Sequence, residues 1–206
     1  TDRDTASGSS SDVTAADGTY SFDGIRPGEY TVRFTTPTGY SITKRTGTDA
    51  EPFAPGLSDI IQSGAQAGRT GTLTAEPGTN PNVDGGFAEL SSLAGTVWTD
   101  DDGDGLRGDG ELGRGGVTVT LTDEDGAVRT TTTADDGTYS FSDLPAGTYT
   151  VTVERPDGTV FSQRLDGRAD LDEGSDVDAD GKASGPVPPG VHWTHLDAGL
   201  SPLSTI

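Results

Sequence analysis

Val117-Thr-Val-Thr-Leu121 and Tyr149-Thr-Val-Thr-Val153 alternate apolar and polar residues with a period of two, and Tyr139-Ser-Phe141 does the same between them. At that spacing every second side chain falls on one face of a strand. Val117, Val119, Leu121, Tyr139, Phe141, Tyr149, Val151 and Val153 are therefore expected to face a core, with the intervening Thr in water. Turn-forming clusters separate the runs: Asp123-Glu-Asp-Gly126, Asp135-Asp-Gly137, Leu144-Pro-Ala-Gly147 and Arg155-Pro-Asp-Gly158. No stretch carries the 3.6-residue period of an amphipathic helix. Short strands at this spacing predict an all-β, antiparallel sandwich.

The composition agrees with that reading and excludes several functions. Among 206 residues there are 31 Gly, 12 Pro and only 30% hydrophobic residues, a balance that is either disordered or rich in turns. The regular alternation decides for turns. The net charge of −21 argues against nucleic acid, which needs a basic face for phosphates, and against anionic lipid surfaces. No apolar run approaches the ~20 residues of a spanning helix, so no membrane insertion is expected. With no Cys there is no disulfide, thiolate metal site or cysteine nucleophile. With no Met, the chain is expected to be a processed product or a fragment.

The chain also repeats itself. Asp17-Gly-Thr-Tyr-Ser-Phe22 returns as Asp136-Gly-Thr-Tyr-Ser-Phe141, and Gly28-Glu-Tyr-Thr-Val32 returns as Gly147-Thr-Tyr-Thr-Val151. Near the ends, Val83-Asp-Gly-Gly-Phe87 matches Leu196-Asp-Ala-Gly-Leu200. A period this long means tandem domains rather than a solenoid. The expected boundaries are 1–90 for a first domain lacking its N-terminal strands, 91–200 for a complete one, and 201–206 for the start of a linker to a next domain. The short junction places neighbouring domains of one array as partners.

One loop carries chemistry. Asp100-Asp-Asp102-Gly-Asp104-Gly105, followed by the five residues Leu106–Gly110 and then Glu111, fits the pattern D-x-D-x-D-G-x5-E. Calcium takes six to eight hard oxygens at about 2.4 Å, and alternate side chains of a tight loop reach one point. Asp100, Asp102 and Asp104 would give carboxylates, Leu106 a backbone carbonyl and Glu111 the closing carboxylate. Because Thr96-Val-Trp98 before it reads as a strand, this is an EF-hand-like loop on a sandwich rather than between helices. A second acidic run, Asp176-Val-Asp178-Ala-Asp180-Gly181, has the same first half but Val187 at its twelfth position. It is expected to hold a looser ion or to complete the first site. The first copy has Asp59-Ile-Ile-Gln62 there, so that site is largely lost in it.

Other motifs carry less. Gly103-Asp-Gly-Leu-Arg-Gly108 matches a dinucleotide pattern, but its carboxylates would repel phosphate and it lacks a βαβ setting. Arg107-Gly-Asp109 lies inside the acidic loop, and Leu144-Pro-Ala-Gly-Thr148 is a hairpin turn. His192 and His195 fall on opposite faces of a strand, so they are poor partners for one zinc, and Trp193 is expected to pack on the core or its rim. No catalytic arrangement emerges, and no enzyme is expected.

These residues together resemble the B-type repeat domains of serine–aspartate-repeat bacterial surface proteins, the SdrD B-like family, and more distantly the B-type domains of collagen adhesins. The likeness rests on Gly95-Thr-Val-Trp98 with its Asp loop and Glu111, on Gly116-Val-Thr-Val-Thr-Leu121, and on Thr133-Ala-Asp-Asp-Gly-Thr-Tyr-Ser-Phe141. It extends to Leu144-Pro-Ala-Gly-Thr-Tyr-Thr-Val151, Ser175-Asp-Val-Asp178 and Asp197-Ala-Gly-Leu200. The resemblance implies two tandem immunoglobulin-like (Cna-B-like) sandwiches, bound calcium, and an extracellular, cell-surface place as a rigid stalk of an adhesin. Two further roles stay open: a ligand-binding module for a glycan or host protein, and a filament subunit that exchanges strands with other copies of the same protein. The Lys–Asn isopeptide bond of collagen-adhesin domains is not expected, since Lys44 and Lys182 both lie off a first strand.

Overall fold

A computed structural model of the chain describes residues 8–43, 58–61, 67–77, 82–164 and 174–203. Among them there is no helix and thirteen strands: β1 (Gly28–Tyr30), β2 (Tyr40–Ile42), β3 (Leu73–Ala75), β4 (Phe87–Glu89), β5 (Ser91–Thr99), β6 (Thr118–Asp123), β7 (Val128–Thr132), β8 (Thr138–Leu144), β9 (Gly147–Val153), β10 (Thr159–Phe161), β11 (Lys182–Val187), β12 (His192–Trp193) and β13 (Ala198–Pro202). The chain divides into two compact units, one of Thr1–Thr35 with Thr43–Gly86, the other of Thr36–Ile42 with Phe87–Ile206. The repeat phase puts a boundary after Leu90. The difference is a ribbon of β2 and β4, whose Leu90 amide donates to the Gly39 carbonyl and which the Gly190 amide joins through the Glu89 carbonyl, within the second unit.

The second unit is a sandwich of two sheets. One has the order β11-β9-β6-β7, antiparallel throughout. Its register sets Val119 against Val153 and Leu121 against Val151, so the valines of the two opening motifs share one face. The other sheet runs β10-β13-β5-β12, with β8 also paired to β5. Here β5 is antiparallel to β8 but parallel to β12 and β13. All eight residues expected to face inward are buried, and the facing sheet completes the core with Leu93, Val97, Leu144, Ala198 and Leu200.

At its C-terminal end β5 is covered on both faces. Val97 enters the core and Trp98, pointing the other way, is also fully buried. Gly199 makes room for that ring, since a Cβ there would sit 2.9 Å from Trp98 Cζ2. Of the two placements expected for Trp193, core or rim, it does not take the core. It is 46% exposed, because β12 is a two-residue strand that pairs only with the start of β5.

In the first unit β1 pairs with β3, and Tyr20 packs edge-on against Phe22 and Phe34 at 5.8 and 5.6 Å. Ile60 and Leu73 are buried there, whereas Tyr20, Phe22, Tyr30, Val32 and Phe34 are half-buried. Their counterparts in the second unit lie between longer strands and are fully covered. Local detail repeats nonetheless. The Thr19 amide and hydroxyl both donate to Asp17 Oδ1, as those of Thr138 do to Asp136 Oδ1. The Tyr30 hydroxyl donates to the Arg26 carbonyl, as that of Tyr149 does to Pro145.

Candidate metal centre

The acidic loop leaves the end of β5, where the Asp100 amide still continues the pairing with β13 by donating to the Leu200 carbonyl at 3.0 Å. Asp100 is fully buried. Its Oδ1 accepts the Gly103 amide at 2.7 Å and its Oδ2 the Gly105 amide at 3.0 Å. Gly105 has φ 81°, the left-handed conformation that turns the chain back toward Asp100. The pattern then steps along the loop: Asp102 Oδ1 accepts the Asp104 amide at 3.2 Å, and Asp104 Oδ1 the Leu106 amide at 2.8 Å. Each acid fixes the backbone ahead of it, and the three carboxylates converge with oxygens within 4.8 Å of one another.

Glu111 folds back over this loop rather than into the triplet. Its Oε1 accepts the Asp101 amide at 2.7 Å and its Oε2 the Gly108 amide at 2.9 Å. Leu106 pairs with Gly174 in an antiparallel bridge, and the Ser175 amide donates to the Gly105 carbonyl at 2.9 Å. The electrostatics reflect the crowding. The Asp104 amide draws the Asp102 carboxyl down, but desolvation and the charges of Asp104, Glu111 and Asp100 outweigh it, and the carboxyl is raised. For Asp100, burial pushes up, yet the Ser162 hydroxyl and the Gly105 and Gly103 amides hold the carboxyl below its ordinary value. Three hard oxygen donors, one of them buried and ionised, form a donor set suited to calcium and lacking the nitrogen or sulfur that zinc prefers.

The second acidic run is arranged otherwise. Asp178 caps its own turn, with Oδ1 accepting the Asp180 and Lys182 amides at 2.9 Å each, and Asp180 is exposed. Asp176 Oδ2 accepts the Asp197 amide at 2.8 Å. Among the described residues only Asp100, Asp102 and Asp104 gather closely enough to share an ion; Asp176, Asp178 and Asp180 do not. Asp197 was not singled out by the sequence reading. It is buried, its Oδ1 accepts the Thr96 amide at 2.6 Å, and burial is the main cause that raises its carboxyl to about 6. The signal for it was present in the repeated Val83-Asp84 and Leu196-Asp197 pairs. A cleft of about 490 Å³ opens beside it, lined by Arg107, Asp109, Glu111, Thr194 and His195 among others.

Fold and loop define a class: an immunoglobulin-like β-sandwich module, repeated in tandem, with an acidic loop at the end of a central strand. The chain belongs to the SdrD B-like domain family, whose model matches residues 2–87 and 91–200. It is 36% identical over 174 residues to the serine-aspartate repeat-containing protein F of Staphylococcus epidermidis, covering 82% of this chain and 10% of that protein. It is 38% identical over 174 residues to a fibrinogen-binding protein of Staphylococcus epidermidis, covering 82% and 14%. With the serine-aspartate repeat-containing protein D of Staphylococcus aureus strain Newman it shares 39% over 168 residues, covering 80% and 12%. The chain thus spans only about a tenth of the length of these relatives. Among solved structures, the minor pilin GBS52 of Streptococcus agalactiae is 14% identical with a TM-score of 0.41, covering 68% of this chain and 67% of that one. The chain is an extracellular, cell-surface pair of domains of this family.

Proposed function

We propose that this chain is a calcium-stiffened spacer, a stalk segment of a cell-surface protein whose neighbouring domains continue the array. The observation that carries this reading is the convergence of Asp100, Asp102 and Asp104 within 4.8 Å in a loop closed by Glu111. Without a cation these carboxylates repel. With one, the end of β5, the loop and the Gly174–Ser175 segment become a single braced corner, because the loop is already bonded to that segment. A spacer needs such bracing where its sheets end, since free loops there would let it bend.

Isothermal calorimetry and thermal melting of the whole chain test this. Extracellular-type calcium sites have dissociation constants of about 10⁻⁴–10⁻³ M. At a hundredfold excess of ion over that constant, the second unit is expected to gain about 2.7 kcal/mol. A chelator should therefore lower its melting temperature, and Glu111→Ala, which frees the Asp101 and Gly108 amides, should largely remove the response. An unchanged melting curve with chelator refutes the calcium reading. Specific binding of a glycan or host protein by this chain would replace the spacer with a recognition module.

A further inference from the structure

The Asp176–Asp197 pair has an internal replica. In the second unit the Asp176 amide donates to the Asp197 carbonyl at 2.8 Å, the Asp197 amide donates to Asp176 Oδ2 at 2.8 Å, and the Tyr139 hydroxyl donates to the Leu196 carbonyl at 2.5 Å. In the first unit the Asp59 amide donates to the Asp84 carbonyl at 2.8 Å, the Asp84 amide to Asp59 Oδ2 at 2.8 Å, and the Tyr20 hydroxyl to the Val83 carbonyl at 2.7 Å. The three bonds recur in the same order on matching residues. The residue after each leading aspartate, Val177 or Ile60, is buried in its core. Where the second unit has Asp178, the first has Ile61. The arrangement therefore persists without the acidic run around it, and its carboxylate is used to hold backbone.

In the second unit this arrangement sits directly behind the acidic loop. Gly174 bridges Leu106, the Ser175 amide holds the Gly105 carbonyl, and the Ser175 hydroxyl accepts the Gly199 amide at 3.4 Å. The segment Gly174–Asp176 is thus fastened on one side to the loop and on the other to the approach to β13. We propose that Asp176 and Asp59 are latch residues, each pinning its own segment to a distant stretch of its unit, at Asp197 and at Asp84, and that Asp176 positions the Asp100 loop from behind without ligating its ion. The second half of this statement rests on the calcium reading; the first half does not.

Hydrogen exchange of the backbone amides in the full chain, with chelator present, tests the latch. Asp176→Ala leaves the Asp197 amide without its acceptor, and Asp59→Ala does the same to Asp84. Each is expected to speed exchange at that amide by roughly tenfold or more, a change of the size of one lost buried hydrogen bond. Asp176→Asn keeps an oxygen acceptor and is expected to preserve protection at Asp197. Calcium titration of the same variants separates positioning from ligation. Asp176→Ala should weaken binding by roughly tenfold, while Asp176→Asn should stay within about threefold of wild type. Unchanged exchange at Asp197 and Asp84 in the alanine variants overturns the latch. A loss of calcium affinity in Asp176→Asn equal to that in Asp176→Ala overturns positioning and makes Asp176 a ligand. If the wild-type chain takes up no calcium, the calcium reading and the positioning half fail together, and the exchange rates still decide the latch.

Discussion

Trp98→Ala is expected to cost the second unit about 3–5 kcal/mol, the range for truncating a large ring in a core. That is a large part of the about 5–15 kcal/mol by which domains are stable, so the variant should be largely or partly unfolded under mild denaturant. The ring is fully buried on the face of β5 opposite Val97, and Gly199 lacks a Cβ where it passes. Removing the ring therefore opens a cavity that Gly199 cannot fill. The indole Nε1 adds a second effect, since it has no hydrogen-bond partner among the described residues. An unsatisfied buried donor costs about 1–3 kcal/mol. Trp98→Phe removes that donor and keeps most of the ring, so it should fall within about 1.5 kcal/mol of wild type, as shape-conserving core changes do. Urea unfolding followed by circular dichroism measures both. A midpoint for Trp98→Ala equal to wild type would show that the ring carries none of the packing assigned to it.

What the sequence disclosed follows the range of the interactions. The strands were legible because alternation is local: Val117–Leu121 and Tyr149–Val153 carry their facing in consecutive residues, and the core they form is the one observed. The Asp100 loop was legible for the same reason, since its bonds run from each acid to amides two to five residues ahead. The parallel pairing of β5 with β12 and β13 was not, because it joins residues about a hundred positions apart and no pattern in either segment encodes its direction. Asp176-Val-Asp178-Ala-Asp180-Gly181 reads two ways. An aspartate before a glycine turn is equally good at capping that turn, which is what Asp178 does, and local spacing does not separate the two uses. Asp176 finds its partner in Asp197, 21 residues on, so its role appears only once the chain is folded.

The buried Asp197 gives the molecule a dependence on pH opposite to that of ordinary paired carboxylates. Burial raises its carboxyl first, the Thr96 amide draws it back, and the charge of Asp176 raises it again, to about 6 against an ordinary 3.8. Below about pH 4 the group is protonated in both folded and unfolded chains and costs nothing. Between about 4 and 6 the unfolded chain gives up its proton first, so stability falls as pH rises. Above about 6 the loss levels off near 3 kcal/mol, about 1.4 kcal/mol for each unit of displacement. Asp100 and Asp136 are lowered instead, and their contributions run the other way, present at neutral pH and lost as the solution is acidified. The whole-chain curve mixes the two signs, so the comparison to make is with Asp197→Asn, in chelator. The amide oxygen still accepts the Thr96 N–H but carries no charge, and the backbone bonds to Asp176 are untouched. The variant is expected to match wild type at pH 4 and to exceed its stability by about 3 kcal/mol at pH 7, measured by denaturant unfolding. An equal difference at both pH values would mean that the ionised Asp197 is not paying for its burial, and that water or a cation reaches it in solution.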